Sequence, residues 1–327
     1  MKALVTRGNG TFELQDVKIP SFNSDQILVK VVAAAQNPTD WKTLLLNKKP
    51  GLVLGCDFSG IVDEIGSDVP AGLRKLGERV AGFVHGGITS NGAFAEYVVI
   101  EALVIVIPDS LTFERAAQLG AASMTVCQAL YQCLGLPMPI QPTQQPADIL
   151  IWSGTSATGQ YAVQFAKLAG LPDEVFDYAD SRTPKKIVRA TGGTLKYAMD
   201  CISEGMTPNQ VSMSLGNEGG TIATLLPYQS RREDARTAFI LVYSIFGQAV
   251  EFPFEFPANL EHRDNAKMYC KVVSEVLSTL PVKTVPVRLY PHGLSSVHEG
   301  FEDMKAGKVH AEKITYRIAD TPGLVSC

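Results

Sequence analysis

A short loop rich in small residues carries the clearest chemical signal of the sequence. The loop, Ser153-Gly154-Thr155-Ser156-Ala157-Thr158-Gly159, lies between an apolar run at 149–152 and a segment of helical pattern at 160–168. Such a loop between a parallel strand and a helix lets backbone N–H groups and the helix dipole meet a diphosphate. The motif Gly154-x-Ser156-x-x-Gly159 is weak alone, because such glycines are also ordinary turn residues. Strand, loop and helix together predict a dinucleotide site.

An acidic residue that could bind ribose hydroxyls follows this loop. Asp177 comes 18 residues after Gly159, close to where a dinucleotide fold places a carboxylate at the end of its second strand. Taken alone, the spacing favours NAD over NADP. The family resemblance given below assigns the segment 175–178 differently.

The cysteines indicate neither a disulfide framework nor a structural zinc site. No CxxC pair occurs, a pattern typical of reduced thiols. The six are Cys56, Cys127, Cys133, Cys201, Cys270 and Cys327. Cys56 and Asp57 together do not supply the three protein ligands of a catalytic zinc site, so we interpret Cys56 as a packed thiol and expect no metal.

Length and charge exclude several classes of protein. A chain of 327 residues is long enough for two domains. With 29 Lys and Arg against 33 Asp and Glu, the net charge of −4 gives no general reason to bind nucleic acid or an anionic membrane. The longest apolar stretches, at 102–108 and 238–247, are too short to span a bilayer, and no signal peptide or Arg-rich presequence is visible. A cytoplasmic location is therefore expected.

Two types of pattern divide the chain near Pro108. Before it, short alternating segments separated by glycines predict an irregular β-barrel. After it, helical segments alternate with short apolar ones, which predicts an open, mostly parallel α/β sheet. Predicted strands lie at 2–6, 26–34, 60–65, 78–83, 95–100, 149–152, 174–178, 197–200, 221–225, 285–289 and 313–317, and predicted helices at 121–134, 160–168 and 260–280.

Several motifs, in this order along the chain, resemble the medium-chain dehydrogenase/reductase superfamily. They are Asn37-Pro38-Thr39-Asp40-Trp41-Lys42, Leu54-Gly55-Cys56-Asp57-Phe58-Ser59-Gly60, Leu76-Gly77-Glu78-Arg79-Val80, Gly92-Ala93-Phe94-Ala95-Glu96-Tyr97 and the loop that begins at Ser153. Within the superfamily, four further segments resemble the zinc-independent, trans-acting enoyl reductases of fungal polyketide pathways. These segments are 175–178, 197–202, 244–247 and 307–313.

The resemblance implies an α/β fold with a GroES-like β-barrel catalytic domain and a Rossmann-type, doubly wound parallel sheet. We expect the catalytic domain at 1–115, the cofactor-binding domain at 116–282 and a return to the catalytic domain at 283–327. It also implies NADP(H) and no zinc, because zinc-dependent relatives place a Cys where this chain has Pro38-Thr39 and carry a four-Cys lobe that is absent here.

The resemblance also suggests site residues. Lys42 and Thr125 are the expected catalytic residues, although Lys42 could instead be a solvated lysine and Thr125 a helix residue bonded to its own backbone. The expected cofactor-binding residues are Thr39, Asp40, Trp41, Lys42, Thr155, Ser156, Ala157, Thr158, Tyr178, Leu225, Leu226, His310 and Ala311. The expected substrate-binding residues are Val126, Cys127, Leu130, Ser244, Ile245, Phe246 and Gly247.

One segment of the family pattern is missing. The relatives have a second strand, a loop for the adenosine 2′-phosphate and a helix after the position of Gly170, whereas this chain passes directly to the segment 173–178. By this comparison, residues 175–178 form the third strand and Tyr178, rather than Asp177, lies near the cofactor. The loss amounts to about twenty residues at average element lengths, and it would expose the edge of the first strand.

The sequence thus predicts a monomeric trans-acting enoyl reductase that transfers hydride from NADPH to an α,β-unsaturated polyketide thioester held by a polyketide synthase or its acyl carrier domain. One alternative is a quinone or enone reductase of the same superfamily. Another, because the adenosine-binding segment is missing, is a non-redox protein that binds or isomerises an acyl group.

Overall fold

Strands and helices cover about half of the described residues, 1–144, 147–171 and 174–324, of this computed structural model. The strands are β1 (Lys2–Arg7), β2 (Phe12–Asp16), β3 (Gln26–Ala35), β4 (Pro50–Val53), β5 (Asp57–Ile65), β6 (Arg79–Phe83), β7 (Tyr97–Glu101), β8 (Ile105–Val106), β9 (Ile149–Trp152), β10 (Tyr197–Asp200), β11 (Gly220–Thr224), β12 (Ala235–Phe239), β13 (Val287–Tyr290) and β14 (Lys313–Arg317). The α-helices are α1 (Pro38–Leu46), α2 (Phe113–Ala116), α3 (Leu119–Cys127), α4 (Ala157–Leu168), α5 (Thr183–Ala190), α6 (Thr207–Ser214), α7 (Leu260–Thr279) and α8 (Val297–Lys305).

Contacts divide the chain into two units. Unit 1 comprises Met1–Ala121 and Tyr243–Cys327, and unit 2 comprises Ala122–Val242. The second break between the units follows residue 242. The reason is that α7 packs on unit 1, where the Ser274 hydroxyl accepts a hydrogen bond from the Val106 N–H at 2.9 Å.

Two mainly antiparallel sheets form unit 1. The smaller has the order β2-β1-β4, and the larger has the order β13-β14-β3-β5-β6-β8, with β7 also paired to β3. Alternating apolar residues of these strands form one buried cluster. Leu294 of the 3-10 helix Gly293–Ser296 and Val297 and Phe301 of α8 belong to the same cluster. Gly60 lets β5 lie close to β3, since a Cβ at this position would stand 2.2 Å from the Lys30 carbonyl oxygen. This architecture fits the β-barrel predicted for the first hundred residues.

Unit 2 contains a four-stranded, fully parallel sheet in the order β12-β11-β10-β9. The register aligns Trp152 with Asp200 and Asp200 with Thr224, so the carboxyl ends of three strands meet at one edge. Within the described residues, β9 has no partner strand on its other side. Its first three residues are only half buried, whereas the last three of β10 are buried. The sheet therefore ends at the strand that precedes the small-residue loop.

The prediction of a strand at 174–178 is wrong. These residues form no strand, and Val175 and Tyr178 are 90% and 68% exposed. Asp177 instead begins a turn, because its carbonyl accepts a hydrogen bond from the Asp180 N–H and its carboxylate accepts one from the Ala179 N–H. A third strand needs a second strand beside it to supply hydrogen-bonding partners, and no described residue between α4 and α5 forms one.

Other sequence predictions differ in detail. The helix predicted at 121–134 is α3 followed by a π-helix, Gln128–Cys133.

Five cysteines are free thiols. Cys327 lies outside the described residues, as do Pro172 and Asp173 of the segment that follows Gly170. Over the described part of the chain, no helix combines the length and the apolar character that crossing a membrane requires.

Candidate active site

The start of α1 brings several predicted site residues together in unit 1. Asn37 is the N-cap and Pro38 occupies the first helical position, where its missing N–H costs nothing. The Asp40 carboxylate Oδ2 accepts a hydrogen bond from the Asn37 N–H at 2.6 Å, which is half of a capping box. The helix therefore begins at a defined residue and fixes Thr39, Asp40, Trp41 and Lys42 within its first turns.

A buried ion pair anchors this helix start to the larger sheet. Asp57 is fully buried, and its Oδ2 accepts hydrogen bonds from Asn37 Nδ2 at 2.8 Å and from Lys313 Nζ at 3.3 Å. Its Oδ1 accepts the Ala121 N–H at 2.7 Å. Lys313 also donates to Asn37 Oδ1 at 2.5 Å. The carboxylate of Asp57 thus has three donors around it, as a buried charge requires.

Tyr243 lies against the same helix start. Its hydroxyl is 3.1 Å from Thr39 Oγ1 and 3.3 Å from Cys56 Sγ. The imidazole of His85 stacks on the Tyr243 ring with centroids 3.7 Å apart and an interplanar angle of 10°. Burial lowers the pKa of His85 to about 4 and raises the pKa of Tyr243 well above its usual value, so both are neutral at pH 7.

A cavity of about 450 Å³ opens beside this pair in unit 1. Its lining includes His85, Tyr243, Phe246 and the residues 248–252. His85 Nε2 is buried and has no hydrogen-bond partner among the described residues. The cavity therefore combines aromatic rings and one unpaired ring nitrogen with polar and charged side chains, among them Asn47, Lys49, Asn91, Glu101 and Gln248.

Trp41 and Lys42 are half buried on α1. The Lys42 ammonium stands 5.8 Å from the centroid of the Trp41 ring, within the range of a cation–π contact. Lys305 approaches the same ring at 5.9 Å. The structure thus places Lys42 half buried beside Trp41, an environment that both interpretations of this lysine share.

The remaining predicted residues of unit 1 have different environments. Ser244 and Ile245 are buried in the short 3-10 helix Val242–Phe246, and the Ser244 hydroxyl is 2.7 Å from His262 Nδ1. Gly247 has φ +74°, a conformation that favours glycine. His310 and Ala311 are exposed in the loop before β14.

The small-residue loop of unit 2 has the local geometry of an anion site. Ser156 caps α4, since its side chain accepts the Gly159 N–H at 3.1 Å. The N–H groups of Ala157 and Thr158 occupy the first helical positions, which an α-helix leaves without an internal acceptor. A Cβ on Gly159 would stand 2.3 Å from the Ser153 carbonyl oxygen, so only glycine permits the loop to pack against the helix.

Two further loops lie at the same sheet edge. Asp200, at the end of β10, accepts hydrogen bonds from the N–H groups of Ile202 and Ser203, and the Ser203 hydroxyl accepts the Leu225 N–H at 2.8 Å. These bonds hold the predicted cofactor residues Leu225 and Leu226 at the end of β11. Nearby, Thr224 Oγ1 is buried and no described residue pairs with it.

The residues of unit 2 fit the diphosphate end of a dinucleotide. The open first turn of α4 and the unpaired Thr224 hydroxyl both offer polar groups at the carboxyl edge of the sheet, where open α/β sheets bind ligands. The adenosine end is less defined, because Tyr178 is exposed and no second strand lies beside β9. A cavity of about 410 Å³ runs along β9 between α4, α5 and the segment 174–178.

Another group of predicted residues is buried in unit 2. Thr125, Val126 and Cys127 belong to α3, and Leu130 belongs to the π-helix that follows. All four are buried, with Thr125 the most exposed at 9%. The predicted site residues are thus divided between the two units.

Sequence reasoning missed several residues of unit 1 that surround Thr39. Tyr243 directly precedes the predicted Ser244, yet nothing in the sequence links it to Thr39, 204 residues away. Cys56 fits its interpretation as a packed thiol, but it also contacts the Tyr243 hydroxyl. His85 lies in none of the motifs that the sequence analysis identified. Across the described residues, no three His, Cys, Asp or Glu side chains are grouped as metal ligands would be.

Comparisons with known proteins agree with the fold. Residues 23–109 match the alcohol dehydrogenase GroES-like domain. The solved CurK enoyl reductase superposes with a TM-score of 0.76 at 16% identity, over 97% of this chain and 98% of that one. The fold is therefore that of the medium-chain dehydrogenases/reductases.

Sequence similarity identifies the family within this superfamily to which the chain belongs. The chain is 37% identical to the trans-enoyl reductase ACTTS2 of Alternaria alternata, over 97% of this chain and 98% of the relative. It is 34% identical to the trans-enoyl reductase resD of Aspergillus sclerotiorum, over 97% of this chain and 100% of the relative. The chain belongs to the trans-enoyl reductase family.

The same alignment measures how much shorter this chain is. It spans 341 positions with ACTTS2, while 97% of 327 residues is about 317. The relative therefore has about 24 residues without a counterpart here. The number is of the same size as the roughly twenty residues expected to be missing after Gly170.

Proposed function

We propose that this protein is an NADPH-dependent enoyl reductase that acts in trans on an α,β-unsaturated polyketide thioester carried by a synthase or its acyl carrier domain. The observation that carries the proposal is the 37% identity to a trans-enoyl reductase over nearly the whole chain. The choice of NADP(H), the carrier partner, the monomeric state and the cytoplasmic location are parts of the proposal.

We assign the two tasks of the enzyme to different parts of the chain. The domain bounds 1–115 with 283–327 for catalysis and 116–282 for cofactor binding belong to this proposal. The bound nicotinamide supplies a hydride. The N–H groups of Ala157 and Thr158 would hold the diphosphate, and Leu225 and Leu226 would flank it.

On the catalytic side, Lys42 would place a positive charge near the thioester oxygen. A thioester that receives hydride at its β-carbon develops negative charge on this oxygen, and a fixed cation lowers the energy of that charge. The substrate residues would be Val126, Cys127, Leu130 and the segment 244–247, with Thr125 contributing its hydroxyl. The α-carbon then needs a proton.

The test is oxidation of NADPH by the purified chain with an enoyl thioester, first on N-acetylcysteamine and then on an acyl carrier protein. We expect turnover that is faster on the carrier, and faster with NADPH than with NADH. Lys42→Met should lower kcat at least tenfold. The matched control is Lys48→Met, since Lys48 is an exposed lysine just beyond α1 and should leave kcat unchanged.

Other outcomes would overturn the proposal. Turnover of a free enone or a quinone without turnover of any thioester would assign the protein to the quinone or enone reductases. Acyl thioester binding without any binding of NADPH or NADH would indicate a non-redox acyl-binding protein.

A further inference from the structure

The imidazole of His85 lines the cavity of about 450 Å³ in unit 1. Within the described part of the chain, no residue forms a hydrogen bond with either of its ring nitrogens. Nε2 is buried, whereas the residue as a whole is only half buried, so part of the ring stays open. Proteins seldom leave such a polar group without a partner, and an exception calls for a reason.

The other polar side chains of this lining are bonded within the protein or exposed to solvent. Asn91 donates from Nδ2 to the Val99 carbonyl and accepts the Val99 N–H with its Oδ1. Glu101 forms an ion pair with Arg263 at 2.7 Å, and Asn47 donates to a backbone carbonyl at 3.0 Å. The exposed polar residues of the lining are Lys49, Thr89, Gln248 and Glu251.

The backbone on both sides of His85 is fixed. The Val84 N–H donates to the Cys56 carbonyl at 3.0 Å, and the Gly87 N–H donates to the Val53 carbonyl at 2.7 Å. The stacked phenol ring, 3.7 Å away between centroids, sets the plane of the imidazole. The ring is therefore held in place before any ligand binds, which lowers the entropic cost of a hydrogen bond to it.

Stacking alone does not account for a histidine at this position. A phenylalanine would offer the same Tyr243 ring an aromatic face and would bury no unpaired nitrogen. A structural role therefore leaves the polar atoms of His85 unexplained.

A hydroxyl group is the partner that suits this imidazole best. Burial lowers the pKa of His85 to about 4, so the ring is uncharged at pH 7. A neutral imidazole has one donor and one acceptor nitrogen, and the tautomer decides which is which. A hydroxyl both donates and accepts, so it fits either tautomer, whereas a carbonyl oxygen fits only a ring N–H.

The surroundings of the cavity suit an acyl chain. Tyr243, in its lining, contacts the Thr39 hydroxyl at 3.1 Å, and Thr39 is an expected cofactor-binding residue. Phe246, also in the lining, is an expected substrate-binding residue. Val84 and Val250 add apolar surface for methylene groups, and the volume lies within the usual range for ligand cavities.

We propose that this cavity binds the acyl chain of the enoyl thioester and that His85 selects chains that carry a hydroxyl group. This inference rests on the proposed function and names its substrate class, α,β-unsaturated thioesters with a hydroxyl further along the chain. His85 is a specificity-determining residue and takes no part in hydride or proton transfer.

The test uses pairs of straight-chain α,β-unsaturated N-acetylcysteamine thioesters of increasing length. The two members of a pair differ only in a hydroxyl at the far end of the chain. The ratio of their kcat/KM values in NADPH oxidation is measured for wild type, His85→Phe, His85→Gln and the matched control His298→Phe. His298 is an exposed histidine of α8 and is not part of the cavity lining.

Calorimetry with the saturated analogues of each pair measures the same preference as a ratio of Kd values, without turnover. A further variant, Ala249→Trp, adds bulk at an exposed residue of the lining.

We expect wild type and His298→Phe to prefer the hydroxylated member about tenfold at the chain length that reaches His85, as for one hydrogen bond to a group otherwise unpaired. His85→Phe should prefer the member without the hydroxyl, because its ring offers no partner for the buried oxygen. His85→Gln, which keeps a donor and an acceptor, should retain part of the wild-type preference. Ala249→Trp should weaken the binding of both members of the longer pairs.

An active wild type whose preference is unchanged in His85→Phe would overturn the role of His85 and leave the proposed function intact. An Ala249→Trp variant that binds the longer chains as tightly as wild type would overturn the placement of the chain in this cavity. A wild type that reduces no member of any pair would overturn the proposed function. A His85-dependent preference among the saturated analogues would even then support the cavity as a site for hydroxylated acyl chains, and its absence would overturn that as well.

Discussion

The buried carboxyl of Asp40 predicts an unusual dependence of stability on pH. Its pKa is 3.8 in an exposed chain and about 7 in the folded protein, because burial penalises the charged form. A raised carboxyl pKa means that the folded state binds the proton more tightly than the unfolded state. The free energy of unfolding therefore falls as pH rises from about 4 to about 7, and this loss is complete above the folded-state pKa.

The variant Asp40→Asn isolates this effect. It keeps an acceptor for the Asn37 N–H but cannot ionise. From pH 5 to pH 8 the variant should gain roughly 3 kcal/mol in free energy of unfolding relative to the wild type. The gain should accumulate at about 1.4 kcal/mol per pH unit until the pH reaches the folded-state pKa of Asp40. The pH dependence of other groups, such as His85, is common to both proteins and cancels.

Urea unfolding followed by tryptophan fluorescence measures this difference. The chain has two tryptophans, Trp41 in unit 1 and Trp152 in unit 2, so both proteins are compared in a Trp152→Phe background where only unit 1 reports. A difference between the variant and the wild type that stays within about 0.5 kcal/mol across this pH range would refute the reasoning.

Three further predictions concern the fold around the two parts of the site. Lys313→Met should lower the free energy of unfolding by about 3–5 kcal/mol in urea, since it leaves Asp57 buried and unpaired, and adding Asp57→Asn should restore part of the loss. Gly159→Ala should lower the melting temperature far more than Gly154→Ala. A Cβ on residue 159 would stand 2.3 Å from a backbone oxygen, whereas a Cβ on residue 154 would stand 3.3 Å from a side-chain carbon. Equal shifts in melting temperature would contradict this prediction. Ser156→Asp should keep the helix cap, and hence the melting temperature, yet weaken NADPH binding at least tenfold in calorimetry through repulsion of the diphosphate; unchanged affinity would place the diphosphate elsewhere.

Local sequence pattern was enough to predict several strands that pair with at least one neighbouring strand. The bounds predicted for β9, β10 and β14 agree with the structure, because each is a short run of strand-forming residues between turn or loop residues. The same reasoning failed at 174–178. That segment has strand-forming residues, yet a strand also needs a neighbour, and the pattern of five residues cannot show that the neighbour is missing.

The candidate site was predictable only where residues lie in one motif. The run from Thr39 to Lys42 and the loop at 153–159 each have a local signature, and the structure places each at a helix start. Tyr243 had none, because its contact with Thr39 depends on the folding of distant segments. The burial of Asp40 also depends on these segments, so its raised pKa could not be predicted from its place in the motif.

The division of unit 1 into two stretches of sequence determines the order in which this protein can fold during synthesis. Residues 33–35 of β3 pair with β14, whose residues 315–317 leave the ribosome about 280 residues later. Unit 2 is one continuous stretch and is complete before that time. Domains generally fold as units while the chain emerges, so unit 2 can fold while β3 still has an open edge. The last strand to be made therefore closes the core of the first unit, and a pause in translation before β14 prolongs the time in which that edge is exposed to aggregation.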